Sequence, residues 1–109
     1  MNTHAIFLKA NNALAEGNDD AFITYCTEDI RWENVGKSTF NGKAELLNYI
    51  CSAYDGISFT TENFIKENDL IVELGQLVIE KNGESKKSSY CDVWRFKNGY
   101  IRQVTSFVI

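Results

Sequence analysis

Two periods divide the hydrophobic positions of this chain. In its first half they recur mostly at helical spacing. Ile6, Ala10, Ala13 and Leu14 share one face, with Phe7 at its edge. Thr3 stands where an N-cap is expected and Gly17 closes the run, which predicts a first helix. Asn18 or Asp19 then caps a short second helix with an apolar face of Phe22, Tyr25 and Cys26, and Ile23 alongside. Ile30 to Val35 alternates instead, with Trp32 and Asn34 on one face and Arg31 and Glu33 on the other. That is a first strand. Gly36 to Gly42 reads as a loop. A third helix runs from Lys43 to about Ala53, since Leu46, Tyr49, Ile50 and Ala53 fall at i, i+3, i+4 and i+7.

From Asp55-Gly56 onward the period is two. A strand is predicted from Ile57 to about Lys66, and Glu67 to Asp69 turns the chain. Three β-rich runs follow, Leu70 to Glu80, Ser88 to Phe96 and Tyr100 to Ile109, separated by Asn82-Gly83 and Asn98-Gly99. Asn-Gly accepts positive φ at both central turn positions, so each pair predicts a tight hairpin and the whole an antiparallel meander. The Leu70 strand is apolar on both faces, with Leu74 and Val78 on one and Leu77 and Ile79 on the other. A strand with one wet face alternates more cleanly, so both faces are expected to be covered. The helices cover one. A second copy of the chain is the natural cover for the other, through Leu74, Val78, Val93, Ile101 and Phe107, and a homodimer is expected.

Composition narrows the function classes. The 109 residues suit one α+β domain over residues 1–109, and 44% hydrophobic with 13% aromatic residues argues against disorder. A net charge of −4 with scattered charges argues against nucleic acid and anionic membrane as partners. No apolar run approaches the ~20 residues of a membrane span, and the start lacks a signal-peptide pattern. A cytoplasmic location is the expectation. Cys26, Cys51 and Cys91 are widely spaced among apolar residues, and are expected to be buried, reduced thiols. With no CxxC pair and a single histidine, His4, neither a metal site nor a histidine-based triad is expected, and no cofactor is implied.

The order of these elements resembles the SnoaL-like and ketosteroid-isomerase-like group of the nuclear transport factor two superfamily, the α+β cone. The matching residues are Ala13-Leu-Ala-Glu-Gly17-Asn, Glu28-Asp29, Phe40-Asn-Gly42-Lys43, and Tyr90-Cys-Asp92-Val-Trp-Arg-Phe96 with Asn98-Gly99. The resemblance spans essentially the whole chain. It implies three N-terminal helices packed on a curved, mainly antiparallel sheet that encloses a pocket. Carried onto this chain, the pocket lining would be Trp32, Asn34, Tyr49, Gly75, Leu77, Tyr90, Asp92, Trp94, Val104 and Ser106. The strand alternation agrees, since Asp92 shares a face with Tyr90 and Trp94, and Val104 with Ser106. Gly75, inside a bulky strand, marks either a bulge or a space left open.

The family includes enzymes and non-catalytic binders. A steroid isomerase needs a carboxylate base, a phenol donor and a protonated carboxylic acid. By resemblance, Asp92 falls on the protonated acid, Asn34 on the base and the neighbourhood of Ala10 on the phenol. An amide cannot abstract a proton, so ketosteroid isomerase activity is not expected. Asp92 remains, a lone carboxyl among aromatic residues whose pKa burial should raise. One reading makes it a general acid or base toward a small apolar or carbonyl-containing molecule. The other makes it a satisfied buried residue in a non-catalytic ligand-binding or assembly protein. Tyr49 and Tyr90 are candidates to replace the lost phenol.

Overall fold

The computed structural model describes residues 2–109. Two helices open the chain, α1 (Thr3–Ala15) and α2 (Asp19–Thr24), and a third, α3 (Lys43–Ala53), follows two strands. The strands are β1 (Cys26–Asn34), β2 (Ser38–Asn41), β3 (Ile57–Glu67), β4 (Leu70–Lys81), β5 (Glu84–Lys97) and β6 (Tyr100–Val108). They form one curved, unclosed sheet in the order β2-β1-β6-β5-β4-β3. All neighbours are antiparallel except β1 and β6, which run parallel. The α+β cone expected from the sequence is the fold observed.

Local chemistry accounts for the boundaries. Asn2, not Thr3, caps α1, its side chain accepting from the Ala5 N–H. Asn18 caps α2 in the same way through Ala21. Both Asn-Gly pairs adopt positive φ at both residues, 54° and 80° at Asn82-Gly83 and 52° and 80° at Asn98-Gly99. These values place two-residue loops between Lys81 and Glu84 and between Lys97 and Tyr100. The segment expected as a loop from Gly36 to Gly42 contains β2, which pairs back onto β1. Four residues with one half-buried side chain, Phe40, carry too short an alternation to read as a strand.

The core lies between the helices and the concave sheet face. Phe7 is fully buried rather than at the edge of its helix, edge-on to Trp94 with ring centres 5.3 Å apart. Phe22 from α2 meets both Trp32 and Trp94 edge-on. Ile101, expected on the outer face, is fully buried in this core. The reason is a bulge. Arg95 pairs with Gln103 but Phe96 pairs with Ile101, so one extra residue in β6 reverses the alternation below Gln103. Leu74 and Phe107 do face outward, at 44% and 42% exposure. Of the cysteines, Cys26 is buried and Cys91 half-buried, while Cys51 is exposed on α3, contrary to expectation. No helix among the described residues is long and apolar enough to cross a membrane.

Candidate functional site

Strand register stacks the concave face into rows. The deepest row is apolar: Trp32 pairs with Val104, Val104 with Trp94, and Trp94 with Ile71. All are at most 1% exposed. The next row is polar: Asn34 pairs with Ser106, Ser106 with Asp92, and Asp92 with Glu73. Beyond it come Val108, Tyr90 and Gly75, again as successive partners. A cavity of about 560 Å³, counting the space open to solvent at its mouth, sits over the polar row.

Seven of the ten sequence-derived positions line the cavity. Asn34, Asp92 and Ser106 come from the polar row, and Tyr49, Leu77, Tyr90 and Trp94 surround them. Trp32 and Val104 do not line it; of their apolar row only Trp94 reaches the cavity. Gly75 does not line it either, and it does not enlarge it. A Cβ there would meet the Thr60 carbonyl and come within 2.5 Å of the Tyr90 ring and hydroxyl. The missing side chain is what lets Tyr90 lie flat across β4. Tyr54, Phe59 and Leu14 complete the apolar wall.

The residue that sequence reasoning missed is Glu73. It is 1% exposed and accepts four side-chain hydrogen bonds. Oε2 receives the Tyr90 hydroxyl at 2.6 Å, the Thr61 hydroxyl at 2.7 Å and the Asn11 amide at 3.2 Å, and Oε1 receives the Trp94 indole N–H at 3.1 Å. The signal was present: Glu73 shares the inward parity of Ile71 and Leu77 in β4. Thr61, the partner of Gly75, faces inward on β3 with Phe59, and the register shifts only after it.

Asp92 has the opposite environment. It is 8% exposed, and its Oδ1 is buried with no hydrogen-bond partner among the described residues. Burial raises its carboxyl from the usual 3.8 to about 7; the Ser106 hydroxyl opposes this and the charge of Glu73 adds to it. Burial, then the bond to Glu73, likewise holds the Tyr90 phenol far above its usual range. Asn34 is fully engaged. Its Oδ1 accepts from the Trp32 indole at 3.0 Å, and its amide donates to the Tyr49 hydroxyl at 3.0 Å and to Ser38 at 3.2 Å. Tyr49 stacks on Phe40 at 4.2 Å. Since Tyr49 accepts from Asn34, its own O–H is left to donate. No cluster of three or more histidine, cysteine or acidic side chains able to hold a metal occurs among the described residues.

Chemically, the cavity offers an apolar aromatic wall, a buried carboxyl with a bare oxygen, and a phenol free to donate. Comparison with solved structures finds the same fold widely. An NTF2-like protein of unknown function from Cytophaga hutchinsonii ATCC 33406 is 25% identical, with 99% of this chain and 100% of that one covered and a TM-score of 0.82. An LEH-like epoxide hydrolase of M. tuberculosis is 15% identical over 98% and 82% of the two chains, with a TM-score of 0.85. A proposed SnoaL-like polyketide cyclase from Jannaschia sp. CCS1 is 12% identical over 97% and 84%, with a TM-score of 0.86. No curated protein matches significantly. The family model of the SnoaL-like domain matches residues 7–104, nearly the whole chain and every cavity-lining position except Ser106 and Val108. The chain therefore belongs to the SnoaL-like domain family, on an NTF2-like α+β fold.

Proposed function

We propose that the cavity binds a small, mainly apolar molecule carrying a carbonyl oxygen, and that Asp92 meets that oxygen as a proton donor, a general acid. The observation that carries this reading is the bare, buried Oδ1 of Asp92 in an aromatic cavity. Buried polar atoms rarely lack a partner, and each one that does calls for an explanation. A ligand acceptor is one, because a carboxyl near pKa 7 retains its proton over much of the neutral range and can donate it. The Tyr49 hydroxyl supplies a second donor on the same wall. An epoxide hydrolase and a SnoaL-like polyketide cyclase share this fold, which supports a reading in which the cavity hosts chemistry.

The test uses 2-acetonaphthone, a neutral aromatic ketone, with the wild-type protein, Asp92→Asn and Asp92→Leu. Binding is followed by amide chemical shifts. We expect shifts confined to cavity-lining residues, and affinity that falls as pH rises above about 7. Asp92→Asn, whose amide still donates but does not titrate, should flatten the pH dependence, and Asp92→Leu, which removes the donor, should weaken binding about fivefold to tenfold, the worth of one hydrogen bond. The absence of cavity-confined shifts would contradict the reading. Deuterium exchange at the ketone's methyl group in heavy water distinguishes catalysis from binding. Exchange that Asp92→Asn abolishes makes Asp92 a catalytic residue; binding without exchange makes the protein a ligand carrier.

A further inference from the structure

We propose that Glu73 is the positioning carboxylate of this site: by drawing in the donors around the β4–β5 pair, it leaves Asp92 as the one carboxyl that meets a ligand with its proton in place. This rests on the reading of Asp92 given above, and adds to it the residue that controls Asp92.

Glu73 and Asp92 are direct partners on neighbouring strands, on the same face and over the same cavity. Cross-strand partners have Cβ atoms roughly 5 Å apart, too close for two buried carboxylates to ionise cheaply. The surroundings treat the two unequally. Tyr90 and Trp94 flank Asp92 two residues away on its own strand, yet both donate to Glu73. Thr61 from β3 and Asn11 from α1 donate to Glu73 as well. Every partner of Glu73 is a donor, and two of them, an amide N–H and an indole N–H, can be nothing else. The arrangement therefore saturates Glu73 as an acceptor. Asp92 receives none of these four donors, and one of its oxygens is bare.

The other groups facing Asp92 do not rebalance the pair. They are Tyr49 from α3, Tyr54 just after it, Tyr90 from β5, Ser106 from β6 and Asn34 from β1, and none is a cation. No lysine, arginine or histidine lines the cavity. Two opposed carboxyls with no counter-ion keep one proton between them. The four donors decide that Asp92 holds it. The charge of Glu73 is among the causes that raise the Asp92 carboxyl, after burial. Tyr90 is fixed by the same device, since its proton points at Glu73 and its hydroxyl can only accept from a ligand.

The experiment is a carboxyl titration by carbon NMR on the full chain, with no ligand present. In the wild type, Asp92 should titrate in one step. Glu73→Gln removes the opposing charge and keeps the shape, so the Asp92 midpoint should fall by about one pH unit. Glu73→Asp restores the charge and should restore most of the upward shift, which a purely structural role would not predict. Thr61→Val provides an arm independent of the folding of Glu73→Gln. It removes a single donor from the Glu73 side of the pair, so Asp92 should no longer titrate in a single step. An Asp92 midpoint unmoved by Glu73→Gln, or a single unchanged step in Thr61→Val, would overturn the proposal. Since no ligand enters the measurement, its failure is separate from a failure to bind ketones.

Discussion

Asp92 makes folding stability depend on pH with a definite sign. Its carboxyl stands near 7 in the folded chain against 3.8 ordinarily. Below the lower value both states are protonated and nothing is lost. As pH rises, the unfolded chain releases this proton while the folded chain holds it, so stability declines until the folded carboxyl ionises near pH 7. The full loss is on the order of 4 kcal/mol for the shift from 3.8 to about 7. Asp92→Asn removes that dependence. Urea unfolding at about pH 4 and pH 8 should show the wild type losing more stability across the window, with the variant the more stable protein at the upper end. Parallel losses in the two proteins would contradict the buried acid. Gly75 is the second informative residue. Gly75→Ala places a methyl against the Tyr90 ring and hydroxyl and the Thr60 carbonyl, which should cost about 1–3 kcal/mol. The same change should free Tyr90 from Glu73, visible as a fall in the Tyr90 phenol pKa by ultraviolet titration, because the bond to Glu73 is among the causes that raise it.

At the scale of elements, most of the fold was legible because its signals are local. Two Asn-Gly pairs fixed the meander, and Gly17, Asn18 and the Lys43–Ala53 periodicity marked the helices. What was illegible depends on pairing. The β6 bulge has no residue signature, so alternation alone sent Ile101 outward when it lies in the core. Its burial predicts that Ile101→Ala costs about 2–5 kcal/mol in urea unfolding; a loss below 1 kcal/mol would return Ile101 to the surface. The candidate site shows the same division. Alternation within each strand grouped Tyr90, Asp92 and Trp94 correctly, but only cross-strand register separates the core row of Trp32 and Val104 from the cavity row of Asn34 and Ser106. Glu73 was within reach of the same alternation. A charged residue at an inward position of β4 is the anomaly that should have drawn notice beside Asp92.

At the scale of the whole molecule, the convex sheet face is unaccounted for by this chain alone. Ile65 pairs with Val72 and Val72 with Val93 in one outer row, and Leu74 pairs with Cys91 and Cys91 with Phe107 in the next. Ile65, Leu74 and Phe107 are substantially exposed. Contiguous apolar rows of this kind usually meet another surface, and we propose a second copy of the chain. Light scattering at micromolar concentration should give twice the 12.4 kDa chain mass, and Leu74→Lys should return it to one. A wild-type monomer would refute the dimer while leaving the cavity as described. The cavity itself is tested most directly by the carbon-NMR titration of Asp92 in the wild-type protein, without and with saturating 2-acetonaphthone. The account predicts a midpoint near 7 in the free protein, moved upward by the ketone because a carbonyl accepts from the protonated acid. A midpoint near the ordinary value of about 3.9, indifferent to the ketone, would contradict it.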